Sequence, residues 1–415
     1  MQLFYNLFFI FIQLLVIIIC LYCLFISFFG WFYKDNHLKY SPKKCFALVI
    51  PAHNEEQVIG YMIDSLHNLN YPKKLYDIFV IADNCSDKTA ELSREKGAIV
   101  YERFDAVRKG KGYALEWMFN KLFHMQKKYD AVAVFDADNL VSTQFLIEMN
   151  NKLCAGHKVI QGYIESKNPF DSWVTCSYSI SFWSISRMFQ IPRHNLNLSC
   201  NLWGTGFVID MKVLKEIGWD ATCLTEDLEF TMKLVLNNYK VVWAHHAVVY
   251  DEKPLTLSQS WKQRKRWMQG HAEVNDKYLF KLLVKAFTEK DLTALHCAFY
   301  LLQSVRVTAL ITLCIIIWLQ TAYPTGILGS IHIPYLFPDA YIWSYLLYIE
   351  LLYTPLLVLI EQKFNWRVML GFLTYPIFTL SYIPITILGA MDRHNKKWVH
   401  TQHTCEIGID DLEKT

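Results

Sequence analysis

Residues 3 to 33 form an almost uncharged apolar run, and nothing else in the sequence limits the fold as severely. The run exceeds the roughly 20 residues needed to cross a bilayer. It lacks a small-residue cleavage site and is longer than the core of about 7–15 residues in a secretory signal. An uncleaved anchor over residues 1–34 is therefore expected. Lys34, Lys39, Lys43 and Lys44 follow at once and place the next domain on the cytoplasmic face. The composition agrees, because 53% hydrophobic and 15% aromatic residues are more apolar surface than a soluble domain needs. The 11 cysteines are scattered. The one close pair, Cys20 and Cys23, lies inside the apolar run, so reduced packing residues are expected.

Residues 291–391 read as a second membrane section, with apolar runs at about 294–320, 341–360 and 368–391. The segment 321–340 has no lysine or arginine and contains Pro324, Pro334 and Pro338, which suits an external loop. Lys363 and Arg367 mark the return. If every run crossed, the tail 392–415 with Arg393, Lys396 and Lys397 would lie outside, against the positive-inside rule. The last run is basic at both ends and holds Pro376 and Pro384, so it is expected to be interfacial or re-entrant. The expectation is three crossings in the cell membrane, with the catalytic domain cytoplasmic. A net charge of +3 gives no global field for nucleic acid.

Residues 44–254 alternate strand-like and helix-like pieces, which points to an α/β sheet with polar groups at the carboxyl ends of its strands. "FALVIPAHNEE" opens with a strand at 46–50, breaks at Pro51 and turns helical near Glu56. "YDIFVIADNCSD" ends a second strand at Asp83, with Asn84, Ser86 and Asp87 as turn and cap residues. "AVAVFDADNL" ends a third at Asp136 and Asp138, two carboxylates that could share Mg²⁺ or Mn²⁺ with a diphosphate. "RKGKGYAL" sets Arg108, Lys109 and Lys111 among glycines, either as a phosphate-binding turn or as a solvated loop. "NLWGTGFVI" is a glycine turn entering a strand. In "CLTEDLEF", Thr225 is expected to cap a helix whose first turn holds Glu226 and Asp227. "SWKQRKRWMQG" offers Gln263, Arg264 and Arg266 as phosphate donors beside the indole of Trp267. Residues 170–189 and 255–290 are expected as amphipathic helices on the bilayer surface.

In this order and spacing the motifs resemble family 2 glycosyltransferases, specifically the membrane-embedded group of cellulose, chitin and hyaluronan synthases. The resemblance covers roughly residues 44–271. It implies a GT-A-like domain with a mixed central sheet. It further implies that Ala52, Glu55 and Asp83 contact the uridine of a UDP-sugar and that Lys111 reaches its diphosphate or sugar. Asp136 would lie against the donor and Asp138 would coordinate the cation. Asp227, with Glu226 beside it, would supply the base for an inverting transfer. Gln263 and Arg266 would hold departing UDP, while Trp267, Gly204 and Thr205 would meet the acceptor. "KWVHTQHT" resembles a gating loop, with Trp398 and Thr401 in the expected places and His403 where the cellulose enzymes carry a basic residue.

The expected activity is processive polymerisation of a UDP-sugar, glucose in preference to N-acetylglucosamine, into a β-linked glycan, a glucan with 1,4 and/or 1,3 linkages, that passes into or across the membrane. A homo-oligomer or an accessory secretion subunit is a further expected partner. The alternative is a transferase of the same fold that adds one sugar to a lipid or short acceptor. The complete acidic set argues against a scaffold without activity.

Overall fold

The computed structural model describes residues 2–34, 39–323, 336, 341–395, 403 and 405–413. The first apolar run is helix α1 (Gln2–Ser27), continued by a short 3₁₀ turn to Gly30. Behind it lies one eight-stranded mixed sheet in the order β3-β2-β1-β4-β7-β6-β8-β5. The strands are β1 (Phe46–Ala52), β2 (Tyr76–Asp83), β3 (Ile99–Arg103), β4 (Ala131–Val134), β5 (Leu140–Val141), β6 (Val159–Ser166), β7 (Phe207–Asp210) and β8 (Val241–Asp251). β1 runs parallel to β2 and β4, whereas β7 is antiparallel to both β4 and β6.

Helices α2 (Ile59–His67), α3 (Thr89–Glu95), α4 (Lys111–His124) and α5 (Phe145–Cys154) fill the crossovers between strands. The alternation along β1 explains its continuous apolar run. Ala47 and Val49 pack with Ala114, Leu115 and Phe119 of α4, while Phe46, Leu48 and Ile50 pack with α2 and α5. A strand covered on both faces has no solvent side to make polar. Strand order turns around at the β1/β4 junction, where α/β sheets leave a crevice beyond their carboxyl ends.

β1 does not break at Pro51 but pairs through it, with Pro51 opposite Ile81. The main chain of Val49 faces β4, since its carbonyl accepts from Phe135 N–H at 3.1 Å. By alternation Pro51 faces the same way, beyond the last β1–β4 pair at Val49, so its missing N–H interrupts no ladder. Helix α2 begins at Ile59 rather than near Glu56.

The chain continues through α6 (Trp173–Ile185), α7 (Ile191–Asn195), α8 (Met211–Ile217), α9 (Glu226–Leu236), α10 (Leu257–Thr288) and α11 (Leu292–Leu301). It ends in the apolar helices α12 (Gln303–Ala322), α13 (Ile342–Ile360), α14 (Trp366–Leu380) and α15 (Tyr382–Met391). The expected surface helix at 170–189 is instead buried along most of α6, from Val174 to Ser184 with Phe182 half-buried. It lies between the sheet and α14: Trp183 Nε1 donates to Glu165 of β6 at 2.7 Å, and a Cβ at Gly371 of α14 would strike Cys176 Sγ. Its hydroxyls, such as Ser179 and Ser184, return to carbonyls of their own helix, so an aromatic, charge-poor sequence need not face a bilayer. α10 does keep an outward apolar strip, with Phe280, Val284 and Phe287 exposed.

Four runs are long and apolar enough to cross a membrane: Leu3–Gly30, Gln303–Ala322, Ile342–Ile360 and Trp366–Met391. The last is broken at Ser381 into α14 and α15. Both lean on the sheet-containing unit, as Gly389 meets Met268 of α10 and Gly371 meets α6. Trp31 Nε1 and Ser27 Oγ both donate to Tyr353 Oη, at 2.9 and 3.1 Å, tying the end of α1 to α13. No disulfide joins the cysteines among the described residues. The expected outer loop falls mostly outside the described residues.

Candidate functional site

The ends of β1 and β2 turn in the same way. Asn54 and Asn84 follow them at φ 55° and 52°, a left-handed conformation that asparagine tolerates better than most residues. Asn54 Oδ1 accepts from Ser86 N–H at 2.8 Å, locking one turn to the other. Asp83 is buried and bonded to Arg103 Nη1 at 2.6 Å, while His53 Nδ1 lies 2.7 Å from its carbonyl. Burial raises the Asp83 pKa, and Arg103 opposes the shift. Asp87 Oδ1 accepts from Thr89 N–H at 3.0 Å, a turn just ahead of α3, whose N-cap position is Lys88.

The two aspartates of "AVAVFDADNL" are not on a strand, because β4 stops at Val134. A turn sets them apart. Asp136 bonds Lys111 Nζ, while its backbone N–H reaches Asn139 Oδ1 at 3.2 Å and Thr205 Oγ1 at 3.1 Å. Thr205 also donates to Asn139, so its hydroxyl pins the turn rather than facing an acceptor. Asp138 is 4% exposed and stands 3.8 Å from His403 Nε2. Burial pushes its pKa up to about 7 against the pull of His403, and Asp251, Asp136 and Glu55 add to the rise.

His403 bridges this carboxylate to Glu55, its Nδ1 3.1 Å from Glu55 Oε2. Burial alone would lower its pKa, but Asp138 and Glu55 outweigh that and lift it to about 10. The imidazolium thus stands among carboxylates that demand a cation. Trp398 and Thr401, the other expected gating residues, lie outside the described residues.

Among the described residues no three acidic, histidine or cysteine side chains converge on a metal position. Mg²⁺ and Mn²⁺ do not need such a cage when substrate phosphate fills the remaining positions. The buried Asp138 carboxyl, with Asp136, Asp251 and Glu55 around it, fits that arrangement. Asp136, engaged with Lys111, would have to exchange partners to join it.

Glu226 and Asp227 open α9; Glu226 Oε1 lies 4.0 Å from Lys111 Nζ, and the Lys111 charge also acts on Asp227 through space. Burial pushes Glu226 up to about 7, Lys111 opposing, and also raises Asp227. Burial works against the Lys111 ammonium too, yet Asp136 and Glu226 hold its pKa above the ordinary value. Lys111 Nζ donates to the Gly204 carbonyl at 2.7 Å. Gly204 sits at φ 80°, a conformation that side-chain-bearing residues rarely adopt, and it lies at ordinary contact distance from both groups: a Cβ there would stand 3.6 Å from Asp227 Oδ2 and 3.8 Å from Lys111 Nζ.

Thr225 does not cap α9; its buried hydroxyl has no hydrogen-bond partner among the described residues. It is pressed instead by α10, where a Cβ on Gly270 would fall 2.5 Å from Thr225 Oγ1. That close approach lets α10 carry the Gln-x-x-Arg-Trp residues beside Asp227. Gln263 accepts from Tyr178 Oη at 2.9 Å, and Trp267 meets the Tyr178 ring edge-on at 6.1 Å. Arg266 lines the cavity with its Nε buried and unbonded among the described residues. Arg264 is turned away. It is fully buried between Phe378 and Tyr382 and donates to the Phe378 carbonyl and Ser381 Oγ, so it fastens α10 to α14 and α15 rather than meeting phosphate.

One cavity of about 980 Å³ joins these groups. Ala52, Glu55, Asp83, Lys111, Asp136, Asp138, Glu226, Asp227, Gln263, Arg266, Trp267, Gly204, Thr205 and His403 all line it. It then continues past Tyr300 to Ile311 of α12 and Leu347 and Leu351 of α13. Sequence reading missed Arg103, Asn139, Asp251, Glu252 and Tyr178. Asn139 was visible as the residue after Asp-x-Asp; Arg103 and Tyr178 carried no local signal, since their partners are distant in the chain.

Residues 42–270 match the family described as glycosyltransferase like family 2. The chain is 29% identical over 237 residues to a beta-monoglucosyldiacylglycerol synthase of Trichormus variabilis, covering 54% of this chain and 48% of that protein. It is 28% identical over 237 residues to a poly-beta-1,6-N-acetyl-D-glucosamine synthase of Staphylococcus epidermidis, covering 55% of each. The chain thus spans about half the length of these relatives. A mannosyltransferase of Pyrobaculum calidifontis, solved with GDP-Man and Mn²⁺, has the same fold at a TM-score of 0.60 and 14% identity, over 93% of this chain and 99% of that one.

Proposed function

The chain belongs to the glycosyltransferase like family 2, and we propose that it transfers a hexose from a UDP-sugar, with inversion, to an acceptor presented by the membrane. The observation that carries this reading is the continuous cavity from the strand-end carboxylates to residues midway along α12 and α13. Ala52, Glu55 and Asp83 hold the uridine. Asp138, joined by Asp136 once it leaves Lys111, would hold Mg²⁺ or Mn²⁺, which offsets diphosphate charge when bound. Asp227 accepts the proton of the acceptor hydroxyl as that oxygen attacks the anomeric carbon. Lys111 and Arg266 face the leaving diphosphate, and Glu226 keeps Lys111 in place. The catalytic unit lies on the cytoplasmic side of a multi-pass protein, with α14 and α15 against it. His403, which stands between Glu55 and Asp138, would have to give up that position to a bound cation.

Processive synthesis of a β-glycan is the second reading, favoured by Trp267 lining the cavity beside Asp227 as a platform for a sugar ring. The two readings separate when the purified chain in nanodiscs receives radiolabelled UDP-glucose or UDP-N-acetylglucosamine with Mn²⁺. Label extracted into organic solvent as a monosaccharide adduct supports the first. High-molecular-weight product digested by a linkage-specific hydrolase supports the second, and turnover only with GDP-sugars would remove the UDP assignment.

A further inference from the structure

Three successive helices meet where the sheet-edge part of the cavity gives way to its membrane part. Gly270 of α10 rests on Thr225, two residues before Asp227, and His271 follows it into the cavity lining. Tyr300 of α11 and Ser304 of α12 line the same stretch. The Tyr300 ring lies 6.1 Å from the His271 ring, and Ser304 Oγ stands 3.4 Å from His271 Nδ1. His271 Nε2 has no hydrogen-bond partner among the described residues. Burial pushes the His271 pKa down to about 4, so near neutrality the ring is uncharged, with one nitrogen a donor and the other an acceptor. Burial also holds the Tyr300 phenol above its ordinary pKa, Arg193 opposing, so the phenol keeps its proton; Asp227 adds to the rise and is therefore within electrostatic reach. Behind Tyr300 stands Arg193, 1% exposed, its guanidinium 4.6 Å from the ring centre and its Nε donating to His296 Nε2 at 2.7 Å. A cation held against one face fixes the ring and polarises the phenol toward donation. Arg306, two residues beyond Ser304, has its own partners in Gln303 and Cys20.

A phenol, a neutral imidazole and a hydroxyl, each from a different helix, are best met by groups that both donate and accept, and hydroxyls do so. We propose that Tyr300, His271 and Ser304 form an acceptor subsite for a polyol, a glycerol or sugar unit whose second hydroxyl they hold while the first faces Asp227. The assignment rests on the reading of a membrane-presented acceptor and names its chemical class. An acceptor with one hydroxyl alone would leave these groups unpaired, which is how a site of this kind selects. In the transfer, the oxygen of the first hydroxyl bonds the anomeric carbon and its proton passes to Asp227. The anomeric carbon–oxygen bond to the donor breaks, and its electron pair leaves with UDP. The second hydroxyl is unchanged, so the three residues set position and specificity and move no proton.

Binding to the full chain in phosphatidylcholine nanodiscs, whose lipid headgroups carry no hydroxyl, tests the subsite without depending on turnover. Hexyl glycerol ether and hexyl β-glucoside are each expected to bind more tightly than hexanol, the better of them by about tenfold, the worth of one or two hydrogen bonds. Which of the two binds more tightly decides between a glycerol and a sugar unit. Tyr300→Phe, which keeps the ring over Arg193, and His271→Phe should each remove most of the preference, whereas His271→Gln should keep part of it. Mn²⁺-dependent UDP binding on the same samples should be unchanged, which separates a lost contact from lost folding. Hexanol binding as tightly as both polyols, or a preference that survives both phenylalanine variants, overturns the proposal. A chain that prefers the polyols but transfers no hexose from a UDP-sugar would sink the proposed activity and leave this subsite standing.

Discussion

At the sheet edge the cavity is built from short acidic turns, each held by a partner far away in sequence: Asp83 by Arg103, Asp136 by Lys111, and Asp138 by His403. At the membrane end it is built from helix faces, where Arg306 and apolar side chains meet across α12 and α13. The first region concentrates charge that cannot relax into water, and burial consequently raises Asp138, Glu226 and Asp227. Among the described residues, the second is lined by Ile311, Leu347 and Leu351 together with hydroxyl-bearing and aromatic side chains such as Thr308, Thr354 and Tyr382. In the proposed transfer, reaction chemistry belongs to the first region and admission of the acceptor to the second.

Four perturbations probe this division. The largest effect is expected for Asp227→Asn, a loss in kcat of about 10²–10⁴-fold, the usual worth of a positioned base. UDP binding should survive, and wild-type turnover would strip Asp227 of its role. Asp138→Asn should weaken Mn²⁺-dependent UDP binding at least about tenfold, as loss of groups at metal sites commonly does. Equal titrations with and without Mn²⁺ in the wild type would break the metal assignment.

The pH profile sharpens the electrostatic part. Because burial raises Asp227, kcat/KM should fall with acidification through a limb that lies above the ordinary carboxylate pKa of about 4. Lys111 lowers the Asp227 pKa, so Lys111→Met should move that limb to still higher pH. A limb that stays in place or moves down would show that Lys111 does not act on the base. The smallest effect concerns the joint between the two regions. Gly270→Ala would drive a methyl into Thr225, two residues before Asp227, at a cost of about 1–3 kcal/mol. A lowered Tm with reduced kcat but unchanged UDP binding is expected, and an unaffected melting curve would mean that α10 can shift freely.

Much of the donor end was legible because its residues sit where strands stop. A hydrophobic run ending in Asp83, or in Asp136 and Asp138, announces both the strand and the polar group at its tip. Thr225 misled for a related reason: a threonine before two acids has the pattern of a cap, but the pattern cannot register that α10 presses on it. Residues 170–189 misled because apolar composition reports burial without saying whether protein or lipid provides it. Arg264 and Arg266, two apart on one helix, looked equivalent in sequence. Their helical phase sends one between Phe378 and Tyr382 and the other to the cavity.

By itself the sequence determined the α/β domain, the four apolar runs and the acidic residues at strand ends, because hydrophobic periodicity and strand termination are local properties. Tertiary structure decided which carboxylate meets which cation, that Thr205 serves a turn, and that one cavity extends from Asp138 to Leu351. Those outcomes depend on contacts between segments tens to hundreds of residues apart, and local patterning carries no record of such distances.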